Sequence, residues 1–234
     1  MIGRINSIQT LGATDGPGVR FTVFMQGCSL RCVCCHNPDT WDMECGTEIE
    51  SNELVSKAIR YKEYFGQNGG VTVSGGEPLL QPEFVTEFFK CCHKEKIHTC
   101  LDTSGYVLNT AVKSLLKETD LVMLDIKYTS AEKYKLNVGC ELSKVVEFLD
   151  YLESIKKPTW IRQVIIPDLN DSEIDILELK ELTSKYECIK KTELLPFKRL
   201  CETKYKTLKI EFPLKDTPEP TPEKMEQLNK KLQK

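Results

Sequence analysis

The chain has 234 residues, 40% hydrophobic and 29% charged, enough length for one substantial core and an ordinary composition for a water-facing protein. A formal net charge of -3 offers no basic field for nucleic acid, and no apolar run reaches the roughly 18 residues that a membrane span needs. Eleven cysteines behind an N-terminus with no apolar leader region point to a reducing cytoplasm and metal chemistry rather than disulfides.

Short β-branched or apolar stretches predict six strands buried on both faces: 21–26 (FTVFMQ), 71–74 (VTVS), 97–102 (IHTCLD), 121–126 (LVMLDI), 160–167 (WIRQVIIP) and 192–196 (TELLP). Segments 52–65, 82–95, 109–118, 142–155 and 171–186 place apolar residues at i, i+3 or i+4 and predict helices between them. Strand alternating with helix implies parallel pairing through right-handed crossovers, hence an α/β chain folded as an open, partial (β/α)6 barrel of TIM type. The proline-rich stretch 212–222 breaks the pattern, and a last helix follows over 222–233 with Thr221 as N-cap and Pro222 at its first position. One domain is expected over 1–234: an N-terminal segment 1–20, the partial barrel 21–200, and a tail with its helix 201–234. In such a barrel the functional residues sit just after each strand.

The first strand runs into GCSLRCVCCHN, residues 27–37. Cys28, Cys32 and Cys35 have the spacing C-x3-C-x2-C and share one side of any helical turn, whereas Cys34 is rotated about 120° away. A structural zinc site wants four closed ligands, and only Cys45 lies near enough in sequence to supply another thiolate. Three soft thiolates suit a [4Fe–4S] cluster whose fourth iron stays open to a substrate or cofactor. Further on, Gly75, Gly76 and Glu77 end the second strand, where backbone carbonyls lie open to an ammonium group. Asp102 and Asp125 end the third and fourth strands, with Lys127 two residues beyond; hard oxygens there suit an alkali or alkaline-earth cation. DGPGVR, residues 15–20, reads as a turn bracketed by Asp15 and Arg20. His36 is expected to hydrogen-bond locally, and His93 and His98 to be structural.

The cysteine motif resembles the signature of the radical S-adenosylmethionine (SAM) superfamily, C-x3-C-x-Φ-C with Φ usually aromatic. Within it the chain is similar to the activating enzymes of glycyl radical enzymes: TDGPGVRFTVFMQGC, CHNPDTW, SGGEPLLQ, HTCLDTSGY, DLVMLDIK, WIRQVIIP and ELLPF run in family order over residues 14–197. The resemblance implies the radical SAM fold, with Cys28, Cys32 and Cys35 holding the [4Fe–4S] cluster. It implies SAM contacts from Asn37, Gly75, Gly76, Glu77, Asp102, Lys127 and Lys198, with Cys34 packing at the SAM site in place of the usual ring. It implies a monovalent cation, Na+ or K+, at Asp102, Thr103, Met123 and Asp125, and contacts from Asp15, Arg20 and Arg162 to a glycine loop of pyruvate formate-lyase. The expected chemistry is reductive cleavage of SAM, after which a 5′-deoxyadenosyl radical takes a hydrogen atom from a glycine Cα. A flavodoxin or ferredoxin donor, a monomer and a cytoplasmic location complete the expectation, with no nucleic acid or membrane partner. Two departures from the family pattern stand out: Cys34 replaces the aromatic residue, and Lys198 replaces a histidine. The rival readings are an activase of another glycyl radical enzyme and a non-catalytic iron–sulfur electron carrier. The first commonly has a cysteine-rich insert, absent here from residues 36–74 apart from Cys45. The second needs four protein ligands and has no use for SGGEP or DGPGVR.

Overall fold

The computed structural model describes residues 1–233, which form two compact units: Met1–Ser29 with Thr40–Leu124, and Leu30–Asp39 with Asp125 onward.

In the first unit, β1 (Ile2–Gly12), β2 (Arg20–Met25), β3 (Thr47–Glu50), β4 (Gly70–Gly75), β5 (His98–Thr103) and β6 (Leu121–Asp125) lie in the order β3-β1-β2-β4-β5-β6. The pairs from β2 to β6 are parallel, in line with the helical crossovers, while β1 runs antiparallel to both β2 and β3. Strands β2, β4, β5 and β6 carry Val23, Val73, Leu101 and Val122 at 1% exposure or less, as expected for strands covered on both faces. Helix α3 (Pro82–Lys94) buries Phe84, Val85, Phe88, Phe89 and Cys92, and α4 (Thr110–Lys117), capped by Asn109, buries Val112, Leu115 and Leu116. The segment 52–65 is two helices, α1 (Ser51–Ile59) and α2 (Lys62–Phe65).

Strands β1 and β3 were not legible in the pattern. Apolar residues of β1 recur every third position, at Ile2, Ile5, Ile8 and Leu11, which is not a strand period. Register shifts between Ile5 and Ser7 and between Gln9 and Gly12 absorb the mismatch. Strand β3 has a single buried residue, Ile49, between glutamates.

The second unit contains α5 (Ala131–Val138), α6 (Leu142–Ser154), β7 (Thr159–Ile165), α7 (Glu173–Thr183), β8 (Ile189–Pro196), α8 (Glu202–Leu208) and α9 (Pro222–Gln233). Strands β7 and β8 pair in parallel over their whole length. Neither is buried on both faces as expected: β7 alternates, with Ile161 and Ile165 inside, and β8 exposes Lys190 and Lys191. The last helix begins where expected, with Thr221 Oγ1 accepting from Lys224 N at 3.2 Å, and its Gln227 and Lys231 reach Glu173 on α7.

Gln163 shares the inner face of β7 at 1% exposure, yet neither its Oε1 nor its Nε2 has a hydrogen-bond partner. A buried carboxamide without partners destabilises, so Gln163→Met is expected to stabilise the protein by about 1 kcal/mol. The melting temperature of the cluster-free protein should rise by a few degrees; a fall would mean that the amide has a polar role inside the unit.

Candidate functional site

In the first unit the DGPGVR stretch forms a turn in front of β2. Gly18 has φ +67°, and a Cβ there would lie 2.6 Å from the Gly69 backbone nitrogen, so this position requires glycine. Arg20 is wholly buried behind the turn. Its Nε donates to Thr72 Oγ1 at 2.9 Å and its terminal nitrogens donate to the Pro17 and Val71 carbonyls. One terminal nitrogen also lies 3.3 Å from His98 Nδ1; burial and Arg20 push His98 below its ordinary range, which leaves Nδ1 a neutral acceptor. Thr72 Oγ1 donates to the Asp15 carbonyl at 2.6 Å, and Thr22 Oγ1 to the Asp15 carboxylate at 3.3 Å. Half-buried Asp15 can face a partner, but Arg20 cannot: expected as a peptide contact, it instead shapes the turn from inside. His93 is structural too, 3.1 Å from Asp120.

The Gly-Gly-Glu stretch closes β4. Gly75 has φ +106°, and a Cβ there would meet the Met25 backbone nitrogen at 2.4 Å, so the neighbouring strand already demands glycine. Gly76 N donates to the Met25 carbonyl at 2.9 Å and Glu77 N to the Gly27 carbonyl at 2.8 Å. The Glu77 carboxylate is 2% exposed and accepts from Thr103 Oγ1 at 2.6 Å, Ser104 N at 3.0 Å, Leu79 N at 3.1 Å and the Ser104 hydroxyl. Burial pushes this carboxyl upward and the donors from Ser104, Thr103 and Leu79 oppose it. Glu77 therefore ties the end of β4 to the end of β5. Beside it, Asp102 accepts from Ser74 Oγ at 2.6 Å and stands in register with Met123 of β6. Both serines lie in stretches quoted above, Ser74 in SGGEPLLQ and Ser104 in HTCLDTSGY, but neither was given a role there.

In the second unit the segment Leu30–Asp39 hangs on the end of α5, where Arg31 N donates to the Val138 carbonyl at 3.1 Å and Val33 N to the Asn137 carbonyl at 2.9 Å. Ser130 caps this helix at its start and Gly139, in the left-handed region, ends it. A bond from Cys35 N to the Cys32 carbonyl, 3.0 Å, tightens the loop. Cys34 is buried at 8% exposure with its thiol pushed up by burial, whereas Cys32 and Cys35 are half-buried. Cys28, in the first unit, is half-buried as well, and none of the eleven cysteines is in a disulfide. His36 Nε2 pairs locally with the Lys198 carbonyl at 2.9 Å. Lys204, which no motif marked, donates to Asn37 Oδ1 and Asp39 Oδ1, both at 2.9 Å. The Lys198 ammonium donates to Glu219 Oε2 at 2.6 Å.

Asp125 is the electrostatic centre of this unit. Lys127 Nζ donates to its Oδ2 at 2.9 Å, while Arg162 donates from Nε at 3.3 Å and from a terminal nitrogen at 3.2 Å to its Oδ1. Burial alone would raise the carboxyl, but the two cations outweigh it and hold Asp125 below the usual range. Burial likewise opposes the Lys127 charge, and Asp125 more than restores it. The sequence reading gave Asp125 and Arg162 separate tasks; here they are one ion pair. Next to Lys127, the Tyr128 hydroxyl is buried without a hydrogen-bond partner, its phenol pushed up by burial and by Cys34.

A family model described as the radical SAM superfamily matches residues 22–179, and the chain belongs to that superfamily. The fold is its open, partial (β/α)6 barrel: a radical SAM methyltransferase from Sphaerobacter thermophilus superposes with a TM-score of 0.66 at 17% identity, over 92% of this chain and 63% of that one. Full-length similarity is more specific. The chain is 44% identical over 233 residues to the pyruvate formate-lyase-activating enzyme of Clostridium pasteurianum, covering 99% of this chain and 98% of that one. It is 41% identical over 231 residues to the pyruvate formate-lyase 1-activating enzyme of Escherichia coli K12, covering 97% and 94%.

Membership brings a [4Fe–4S] cluster and SAM as cofactors. The donor set fits them: three half-buried thiols at C-x3-C-x2-C spacing, a fourth thiol withdrawn into the core, and the buried, unpartnered Tyr128 hydroxyl in the unit that carries Cys32 and Cys35. Among the described residues no group of three His, Cys, Asp or Glu side chains forms a cage for a metal ion. No described helix is long and apolar enough to cross a membrane.

Proposed function

We propose that this chain activates pyruvate formate-lyase by removing a hydrogen atom from the Cα of one glycine and leaving a glycyl radical. The observation that carries the reading is the 44% and 41% identity, over nearly the whole of each chain, to proteins bearing that activity in their names. Cys28, Cys32 and Cys35 hold the cluster. When bound, the reduced cluster and SAM together supply a 5′-deoxyadenosyl radical. The protein's own part is to bind, orient and exclude water. Carbonyls of the Gly75–Glu77 stretch accept the SAM ammonium, and Glu77 keeps that stretch rigid through Thr103 and Ser104. Asn37, Asp102, Lys127 and Lys198 complete the SAM contacts, with Cys34 packing in place of the usual aromatic ring. Asp102, Thr103, Met123 and Asp125 bind Na+ or K+.

Asp15 and Arg162 contact the backbone of the partner's glycine loop, and Arg20 acts through the turn it holds. A carboxylate and a guanidinium can engage peptide N–H and C=O groups of a residue that has no side chain to grip. A flavodoxin or ferredoxin supplies the electron, and the chain works as a single-domain monomer in the cytoplasm. Asp15→Ala is expected to keep iron content and SAM affinity while lowering the rate of glycyl-radical formation on pyruvate formate-lyase by on the order of a hundredfold. The measurement is the partner's glycyl-radical EPR signal beside SAM affinity. A wild-type rate in Asp15→Ala would return DGPGVR to being a turn. No radical on pyruvate formate-lyase from the reconstituted wild type, with 5′-deoxyadenosine still produced, would favour another glycyl radical enzyme as partner.

A further inference from the structure

The cysteine loop is held twice within the second unit, and the second hold is unusual in its polarity. Tyr205 on α8 is 1% exposed and its ring lies 4.8 Å from that of Phe212, so the helix is fixed by its own packing. From that fixed position the Tyr205 hydroxyl donates to the Cys35 carbonyl at 3.2 Å. One residue earlier, the Lys204 ammonium bridges Asn37 Oδ1 and Asp39 Oδ1, each at 2.9 Å. Lys204 and Asp39 are 39% and 31% exposed, so their ion pair adds little to stability. Its consequence is geometric.

An ammonium group only donates, so the atom of Asn37 that faces Lys204 must be the carbonyl oxygen. The amide nitrogen is then turned away from α8. We infer that Lys204 is a positioning residue for SAM binding: it sets the Asn37 carboxamide so that the donor edge, not the acceptor edge, faces the cofactor, while Tyr205 fixes the cysteine that precedes it. This rests on the reading of Asn37 as a SAM contact. Without Lys204 the carboxamide loses the cationic donor that holds its oxygen toward α8, and the orientation with the nitrogen turned outward is no longer favoured by that charge. Asp39 keeps the ammonium in place between the two oxygens.

The test uses the anaerobically reconstituted protein, with SAM affinity measured by equilibrium dialysis and the EPR line shape of the reduced cluster recorded with and without SAM. Lys204→Met keeps the aliphatic stem and removes the donor. It is expected to weaken SAM binding about tenfold with iron content and the melting temperature of the cluster-free protein unchanged, and to blunt the SAM-induced change in line shape. Lys204→Arg, which can still donate to both oxygens, should restore most of the affinity. Asn37→Ala should weaken binding by a similar factor, and the double variant should lose no more than Asn37→Ala alone, because the lysine acts through the amide. Wild-type affinity in Lys204→Met together with weak binding in Asn37→Ala would overturn the positioning role. Wild-type affinity in Asn37→Ala would overturn the Asn37 reading itself, and the inference with it. Loss of iron in Lys204→Met in step with SAM affinity would also overturn it, since the lysine would then serve the cluster loop and not the amide.

Discussion

Alanine at Cys28, Cys32 or Cys35 is expected to abolish iron loading and 5′-deoxyadenosine formation, whereas Cys34→Ala keeps both. The four thiols occupy eight consecutive positions, but they do not share an environment. Three are half-buried, and Cys34 lies at 8% exposure with its proton held more tightly by burial. Its sulfur fills core volume in the unit that holds Tyr128 and Tyr205, so Cys34→Ala should cost about 1 kcal/mol of stability through a small cavity. Iron per chain after anaerobic reconstitution and chromatographic assay of 5′-deoxyadenosine separate the two outcomes. A Cys34→Ala protein that loads as little iron as Cys32→Ala would overturn the division of three ligands and one packing residue.

Asp125→Asn is the second substitution with a large expected effect, about 3 kcal/mol of lost stability at neutral pH. It removes the carboxylate that pairs with two cations that are 15% and 11% exposed, Lys127 and Arg162. The amide can still accept one hydrogen bond, but it no longer offers either cation a negative charge in a setting with little water. The pH dependence follows from the depressed carboxyl of Asp125. Its contribution is fully present above the unfolded value, about 3.9, and is lost as the pH falls through the lower folded value. Urea unfolding of cluster-free wild type and Asp125→Asn should therefore differ at pH 7 and converge in strong acid. Equal stability at pH 7 would mean that the ion pair is not a feature of the folded chain in solution.

Parallel strands and their crossover helices were readable because a doubly covered strand must be a nearly continuous apolar run, and the cysteine spacing was readable because metal ligation restricts residue type. The unread parts obey other rules. Strand β1 hides behind a three-residue apolar spacing that only bulges make compatible with a ladder. Helices α5 and α8 act on the cysteine loop largely through backbone carbonyls, which every residue carries, so no residue type advertises the contact. Charge pairing was misjudged for a related reason. Arg20 and Arg162 look alike as isolated letters, yet the fold buries one inside a turn and sets the other against a carboxylate 37 positions earlier. Sequence distance of that size leaves no local pattern to read.

The clasp on the cysteine loop also has an order in time. Residues 35–39 are secured by residues 198, 204 and 205, which follow them by 162 to 170 positions. At about 5–20 residues per second of synthesis, the thiols leave the ribosome roughly 10–30 s before Lys204 and Tyr205 exist to hold the loop. Metal delivered during that interval meets cysteines without their final geometry. Productive loading therefore belongs after chain completion, when the last helices have closed on a loop that was made among the first.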